Sequence, residues 1–132
     1  MIEYDTIQIE KIEISEDLLT CYEEEGYTYL HCTFHCNRVG GIWINIYKTS
    51  FLVNGKTKLG LIHALNIPYP PAVKVLSNRG DSHNFTLVFP AIPKDWETFD
   101  FSERAGRGKM NFDTIRNIRR NNSGVYKVII TF

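Results

Sequence analysis

No apolar run in this 132-residue chain approaches the roughly 18 residues that a membrane helix needs, so insertion by a helix is set aside. Nor is there an excess of charge. Lys+Arg and Asp+Glu number 15 each, and no global field draws the chain to nucleic acid or to an anionic surface. Cysteine is scarce and odd in number, at three. An extracellular disulfide framework normally uses an even set, so Cys21, Cys32 and Cys36 read as reduced thiols that pack like small apolar residues, a vote for a reducing compartment. The opening Met1-Ile2-Glu3-Tyr4-Asp5 lacks both the basic and the apolar region of a signal peptide. The location expected for the chain as it stands is cytoplasmic, and the cell envelope or exterior if a leader has been trimmed.

Complete catalytic motifs are also missing. Ser, Cys, His and carboxylates all occur, but no spacing sets a nucleophile beside a base. Gly106-Arg107-Gly108-Lys109 lacks the full Gly-x-x-x-x-Gly-Lys-Ser/Thr pattern and reads as a hairpin turn. Arg79-Gly80-Asp81 reads as a turn as well. The expectation is a protein that is not an enzyme and needs no cofactor or metal.

What is present is a strand pattern. Hydrophobic residues make up 43% and charged residues 23%, the balance of a folded domain rather than a disordered tail. The length suits one domain over 1–132. Period-two alternation recurs along the chain. Ile7 and Ile9 share one parity and Ile12 and Ile14 the other, as a bulge at Glu10-Lys11 would produce. Leu18–Tyr22 reads as a short strand, followed by the acidic turn Glu23-Glu24-Glu25-Gly26. In Tyr27–Cys36 the residues Thr28, Leu30, Cys32, Phe34 and Cys36 share one face. Ile42, Ile44 and Ile46 line the next strand.

Further on, Phe51-Leu52-Val53 runs into Asn54-Gly55, a hairpin signal whose type I′ turn needs two positive φ angles, and Leu59–Leu65 returns. Ile67–Pro71 must be a loop or a sheet edge, since prolines lack N–H donors. Ser77–Asn84 reads as a polar loop, Phe85–Phe89 and Val125–Phe132 as strands, and Asp113–Arg120 as the only helical turn. Seven to nine short strands with little helix predict an all-β, immunoglobulin-like two-sheet antiparallel sandwich, its core filled by the 13% of aromatic residues.

From Tyr29 to Ile118 the order of residues carries a resemblance. Leu30-His31-Cys32-Thr33, Gly41-Ile42-Trp43-Ile44-Asn45-Ile46 and Phe51–Lys56 are followed by Phe85-Thr86-Leu87-Val88-Phe89-Pro90, Ile92-Pro93-Lys94, Phe99-Asp100-Phe101 and Glu103. The set resembles an immunoglobulin-like β-sandwich domain of some bacterial proteins, a family of unknown function that often precedes a thioredoxin-like domain. The resemblance covers about two-thirds of the chain and implies a fold but no catalytic residue. Ser102 and Arg104 depart from it, since the family has an apolar residue and Gly there. No Cys-x-x-Cys motif is present, so redox chemistry is not implied.

His31-Cys32-Thr33-Phe34-His35-Cys36 offers soft ligands that suit zinc. A strand, however, sends the histidines to one face and the cysteines to the other, with residues four apart separated by roughly 13 Å. Buried core cysteines are the expected outcome. Glu103 is expected to accept hydrogen bonds from backbone amides at a strand corner.

Charge is uneven along the chain. Residues 1–25 hold nine acids against Lys11 alone, and residues 100–132 hold three acids against seven bases. Strands from the two ends either pair and neutralise each other, or leave a basic patch for an acidic partner or for head-to-tail self-association. The leading expectation is a structural or protein-interaction module working through edge strands and end loops, its simplest form a homodimer through an exposed edge. The candidate surface comprises Tyr69, Arg79, Asp81, His83 and Trp96, with Arg107, Lys109, Arg116, Arg119 and Arg120. The alternative is small-ligand or nucleic-acid binding by that basic C-terminal third, with Phe112 and Tyr126 as stacking rings. The acidic N-terminal third argues against a continuous groove for nucleic acid.

Overall fold

The computed structural model describes residues 11–15, 26–103 and 114–131. In chain order its strands are β1 (Lys11–Ser15), β2 (Tyr27–His35), β3 (Ile42–Ile44), β4 (Phe51–Asn54), β5 (Thr57–Gly60), β6 (His63–Leu65), β7 (Lys74–Leu76), β8 (Ser82–Pro90), β9 (Thr98–Ser102), β10 (Thr114–Arg119) and β11 (Val125–Thr131). The architecture is all-β and sandwich-like. A five-stranded sheet has the order β1-β11-β2-β8-β6, a four-stranded sheet the order β10-β9-β4-β5, and β3 and β7 form a two-stranded ribbon.

Strand β2 organises the larger sheet. Its Thr28, Leu30, Cys32 and Phe34 are buried while the odd-numbered residues between them are not, the period-two consequence of successive side chains pointing to opposite faces. On one side β8 pairs with it antiparallel from Tyr27↔Pro90 to His35↔Ser82. On the other β11 pairs parallel, from Val125↔Tyr29 to Thr131↔His35. That register brings Tyr126, Val128 and Ile130 onto the same inner face as Leu30, Cys32 and Phe34. The four-stranded sheet supplies the opposing layer: Leu52, Phe99, Phe101, Ile115 and Ile118. Rings lock the layers edge to face, Phe89 on Phe101 at 6.1 Å and Phe99 on Tyr126 at 5.2 Å, the geometry the ring quadrupole favours.

Local departures from the sequence reading have identifiable causes. There are eleven strands among the described residues and a third small sheet, beyond the seven to nine strands in two sheets expected. The β2–β11 pair is parallel, where an antiparallel sandwich was expected. The helical turn expected at Asp113–Arg120 is instead β10. Ile115 and Ile118 lie three apart, which mimics a helix face. Here Ile115 pairs with Phe101 and Ile118 with Phe99, so three steps on β10 match two on β9. The extra residue is absorbed as a bulge in which Asn117 takes φ 58°, a conformation asparagine tolerates, and its N–H donates to Asp100 Oδ1 at 2.9 Å. Both isoleucines then face the core.

The β4–β5 hairpin is also shifted by one residue. Asn54 pairs with Thr57, so Gly55 and Lys56 are the central residues and only Gly55 (φ 58°) is left-handed. That is the type II′ pattern rather than I′. Leu59–Leu65 is not one strand but two, in different sheets. The Leu61 N–H reaches the Ser50 carbonyl (2.9 Å) and the Ile62 N–H the Val88 carbonyl (2.8 Å), carrying the chain across. Finally, β8 begins at Ser82, inside the polar segment expected to be loop. The bulge at Glu10-Lys11, the strand at Leu18–Tyr22 and the turn around Gly106 lie wholly or partly outside the described residues. Strands from the acidic and basic ends do pair, Lys11↔Thr131 through Ser15↔Lys127.

Candidate binding face on the five-stranded sheet

Glu103 follows β9 and is 2% exposed. Its Oε2 accepts the backbone N–H of Tyr47 at 3.1 Å, the strand-corner role expected of it. Asn45 and Ser50, also buried, serve the same crossover. Asn45 Nδ2 donates to the Ala72 carbonyl at 3.1 Å and Ser50 Oγ to the Tyr47 carbonyl at 2.7 Å. These side chains pair backbone groups that lie outside the strand ladders, the N–H and carbonyl of Tyr47 and the carbonyl of Ala72. Replacing Glu103 by Ala removes the acceptor of a buried N–H, so we expect a loss of about 1–3 kcal/mol in urea unfolding, and a smaller loss for Glu103→Gln, whose oxygen still accepts. Equal losses for the two would mean that the acceptor is not what matters.

Cys32 and Cys36 are free thiols in the core, on the opposite face from His31 and His35. Burial pushes the Cys32 thiol far above its ordinary range, which keeps it protonated and poorly nucleophilic. Among the described residues no three His, Cys, Asp or Glu side chains gather as metal ligands do.

The sequence-predicted surface is not one surface. Trp96 is 5% exposed and packs on Phe99 at 6.3 Å, so it is a core residue and not a contact residue. It is buried because the segment between β8 and β9 closes one end of the sandwich. Arg120 caps that same segment. Its Nη1 donates to the Pro93 carbonyl at 2.6 Å and the Trp96 carbonyl at 3.4 Å, and its backbone N–H donates to the Glu97 carbonyl at 2.8 Å. Burial raises the Tyr126 hydroxyl pKa, and the N–H of Asn121 and then the charge of Arg120 offset part of that rise. Arg79 Nε donates to Asn37 Oδ1 at 3.0 Å, and Asp81 Oδ2 accepts the Asn78 N–H at 3.0 Å, which makes Arg79-Gly80-Asp81 a self-bonded turn. His83 bonds the Asn66 carbonyl through Nε2. Tyr69 packs against the core with Lys48 Nζ 4.9 Å from its ring centroid. Arg116 and Arg119 are exposed on β10, Arg116 lying 4.0 Å from Asp100. Arg107 and Lys109 fall outside the described residues.

What the strands do bring together is the outer face of the five-stranded sheet. Register sets His31 between Thr86 of β8 and Lys127 of β11, with Leu65 of β6 beyond Thr86. Thr33 stands between Asn84 and Ile129 in the next row. His31 Nδ1 and Thr86 Oγ1 are hydrogen-bonded at 2.7 Å, and Thr33 Oγ1 donates to Asn84 Oδ1 at 2.7 Å. Asn66, in a left-handed conformation (φ 66°) just past β6, donates from Nδ2 to the Asn84 carbonyl at 2.7 Å. Along β2 the Tyr27, Tyr29 and His31 rings form a file, each 6.4 Å from the next, with Tyr29 and His31 only 16° from parallel. His31, Thr33, Asn66, Asn84, Thr86 and Lys127 border an open concavity of about 500 Å³, and the two tyrosines continue the ring file along β2 beyond its lining. Sequence reasoning passed over this face while reading the same strand correctly. The alternation that marks Leu30 and Cys32 as buried also marks Tyr29, His31 and Thr33 as outward.

Compared with protein-family models, curated proteins and solved structures, the chain matches none. Among the described residues, no helix is long and apolar enough to cross a membrane.

Proposed function

We propose that this domain is a non-enzymatic binding module that engages its partner through the outer face of the five-stranded sheet, and that its sandwich belongs with the immunoglobulin-like domains it resembles. The observation that carries the reading is the cross-strand polar array itself. His31–Thr86 and Thr33–Asn84 are side-chain pairs contributed by different strands and held by hydrogen bonds on an open, concave face. Pre-ordered polar groups around a concavity are what recognition without chemistry requires, since little side-chain entropy is lost on binding. Among the described residues the thiols and the buried carboxylate, by contrast, have structural duties: Cys32 and Cys36 fill the core, and Glu103 holds a backbone amide.

Covalent footprinting tests the assignment. Acylation of Lys127 and carbethoxylation of His31 are expected to slow in extract of the native host relative to buffer, with Lys56 in the β4–β5 turn as the unprotected reference. Equal labelling of all sites in both conditions would remove the outer face as the working surface.

A further inference from the structure

We propose that the ligand of this face is a neutral, polyhydroxylated chain, an oligosaccharide, lying along β2. The inference rests on the binding-module reading above and adds the chemistry of what is bound.

Three features point the same way. The first is charge. Of the side chains bordering the concavity, Lys127 is the one cation, and there is no carboxylate among the described ones. A nucleic acid or anionic membrane is held by several cations acting together, and a single lysine does not supply them. The second is the mixture of groups. A sugar ring has apolar C–H faces and hydroxyl edges, so it needs ring faces and short-range donors and acceptors side by side. His31 offers a ring at the concavity and Tyr29 a second one next along β2, beyond its lining, while Thr33, Asn84 and Thr86 offer hydroxyls and a carboxamide. Each hydroxyl has one proton and two lone pairs and the carboxamide two protons and two lone pairs, so valence remains for a ligand after the bonds they make to each other and to His31. A protein hot spot is instead built on buried aromatic and arginine anchors with an apolar centre. The third is shape. The rings recur every 6.4 Å along an extended strand, which suits a linear ligand with repeated units, and the concavity of about 500 Å³ falls within the size range of ligand sites.

The test is titration calorimetry of the intact chain with soluble neutral hexasaccharides built from glucose, xylose, mannose or galactose, with amide chemical shifts recorded in parallel. Saturable binding to at least one sugar is expected, with shifts concentrated in β2 and β8. Tyr29→Ala should weaken it about tenfold, the scale of one lost ring contact. Asn84→Ala, at an exposed position that does not threaten folding, should weaken it too, and Arg116→Ala on distant β10 should not. Neither heat nor shifts with any sugar overturns the proposal. So does binding that Tyr29→Ala and Asn84→Ala both leave unchanged. Saturable, salt-sensitive binding of an oligothymidine in place of sugar would assign the face to nucleic acid. Footprint protection in host extract that protease abolishes, without sugar binding, would assign it to a protein and leave the binding-face reading intact. If neither sugar binding nor footprint protection is seen, both readings fail.

Discussion

Gly41→Ala is expected to be among the most damaging single substitutions in this domain, though it adds one carbon. Gly41 stands at the entry to β3 with φ 83°, a conformation that is costly for any residue with a Cβ. The added Cβ would overlap the Leu76 carbonyl oxygen and come within 2.9 Å of the Ser77 Cα and carbonyl carbon. These are backbone atoms of β7 and its exit, so no side chain can swing aside. Either β3 and β7 separate or both distort, and we expect a loss of about 4–5 kcal/mol, at the upper end for point mutations. Gly40 is the built-in control. It has φ 93° and open space where its Cβ would be, so Gly40→Ala should show the conformational part alone, about 1–2 kcal/mol. Urea midpoints compare the two directly. If both variants unfold at the same urea concentration, the close approach of β3 to β7 is not as described.

Phe101→Ala should be comparably severe for the opposite reason, an empty space rather than a collision. Phe101 is fully buried in β9, in register with Leu52 on one side and Ile115 on the other, and its ring meets Phe89 of the facing sheet at 6.1 Å. Truncation removes a ring that both layers pack upon, and a cost of about 3–5 kcal/mol is expected. Domains of this size have roughly 5–15 kcal/mol in total, so the variant should be largely folded but close to its limit. Phe101→Leu should recover most of the loss because most of the volume returns. A loss below about 1 kcal/mol for Phe101→Ala would mean that the two sheets do not rely on this contact.

The strands show how far the fold was legible in the sequence. Where one strand face is buried and the other is not, as in β2, alternation states the answer outright: Thr28, Leu30, Cys32 and Phe34 in, Tyr29, His31 and Thr33 out. Legibility failed where tertiary pairing changes the period. The bulge at Asn117 exists because Asp100 on the neighbouring strand accepts its N–H, and no feature within 114–119 announces that partner. Ile115 and Ile118 therefore read as a helix. The hairpin failed by a single residue for a related reason. Asn54 sends its Nδ2 to the Thr98 carbonyl at 2.8 Å, an interaction with β9 that ties Asn54 to the strand rather than the turn. The candidate face was missed because it belongs to no segment. Thr86 and Lys127 are distant in sequence and become neighbours of His31 only through register. Looking for function in loops pointed instead to Trp96 and Arg120, which the end of the sandwich uses for itself.

The order β1-β11-β2 has one more implication. Strands β1 and β2 are held apart by β11, the last of the described strands in chain order, so the larger sheet is closed by a wedge made after both of its neighbours. Until β11 slides in, β2 has an unpaired flank beside β8, and β1 has no neighbour in that sheet. Sheets that depend on such distant pairings form slowly, and a nascent chain of this design carries an open strand edge from the emergence of β2 until that of β11. Docking of β11 is then the step that covers this flank of β2 against pairing with a second copy of the chain.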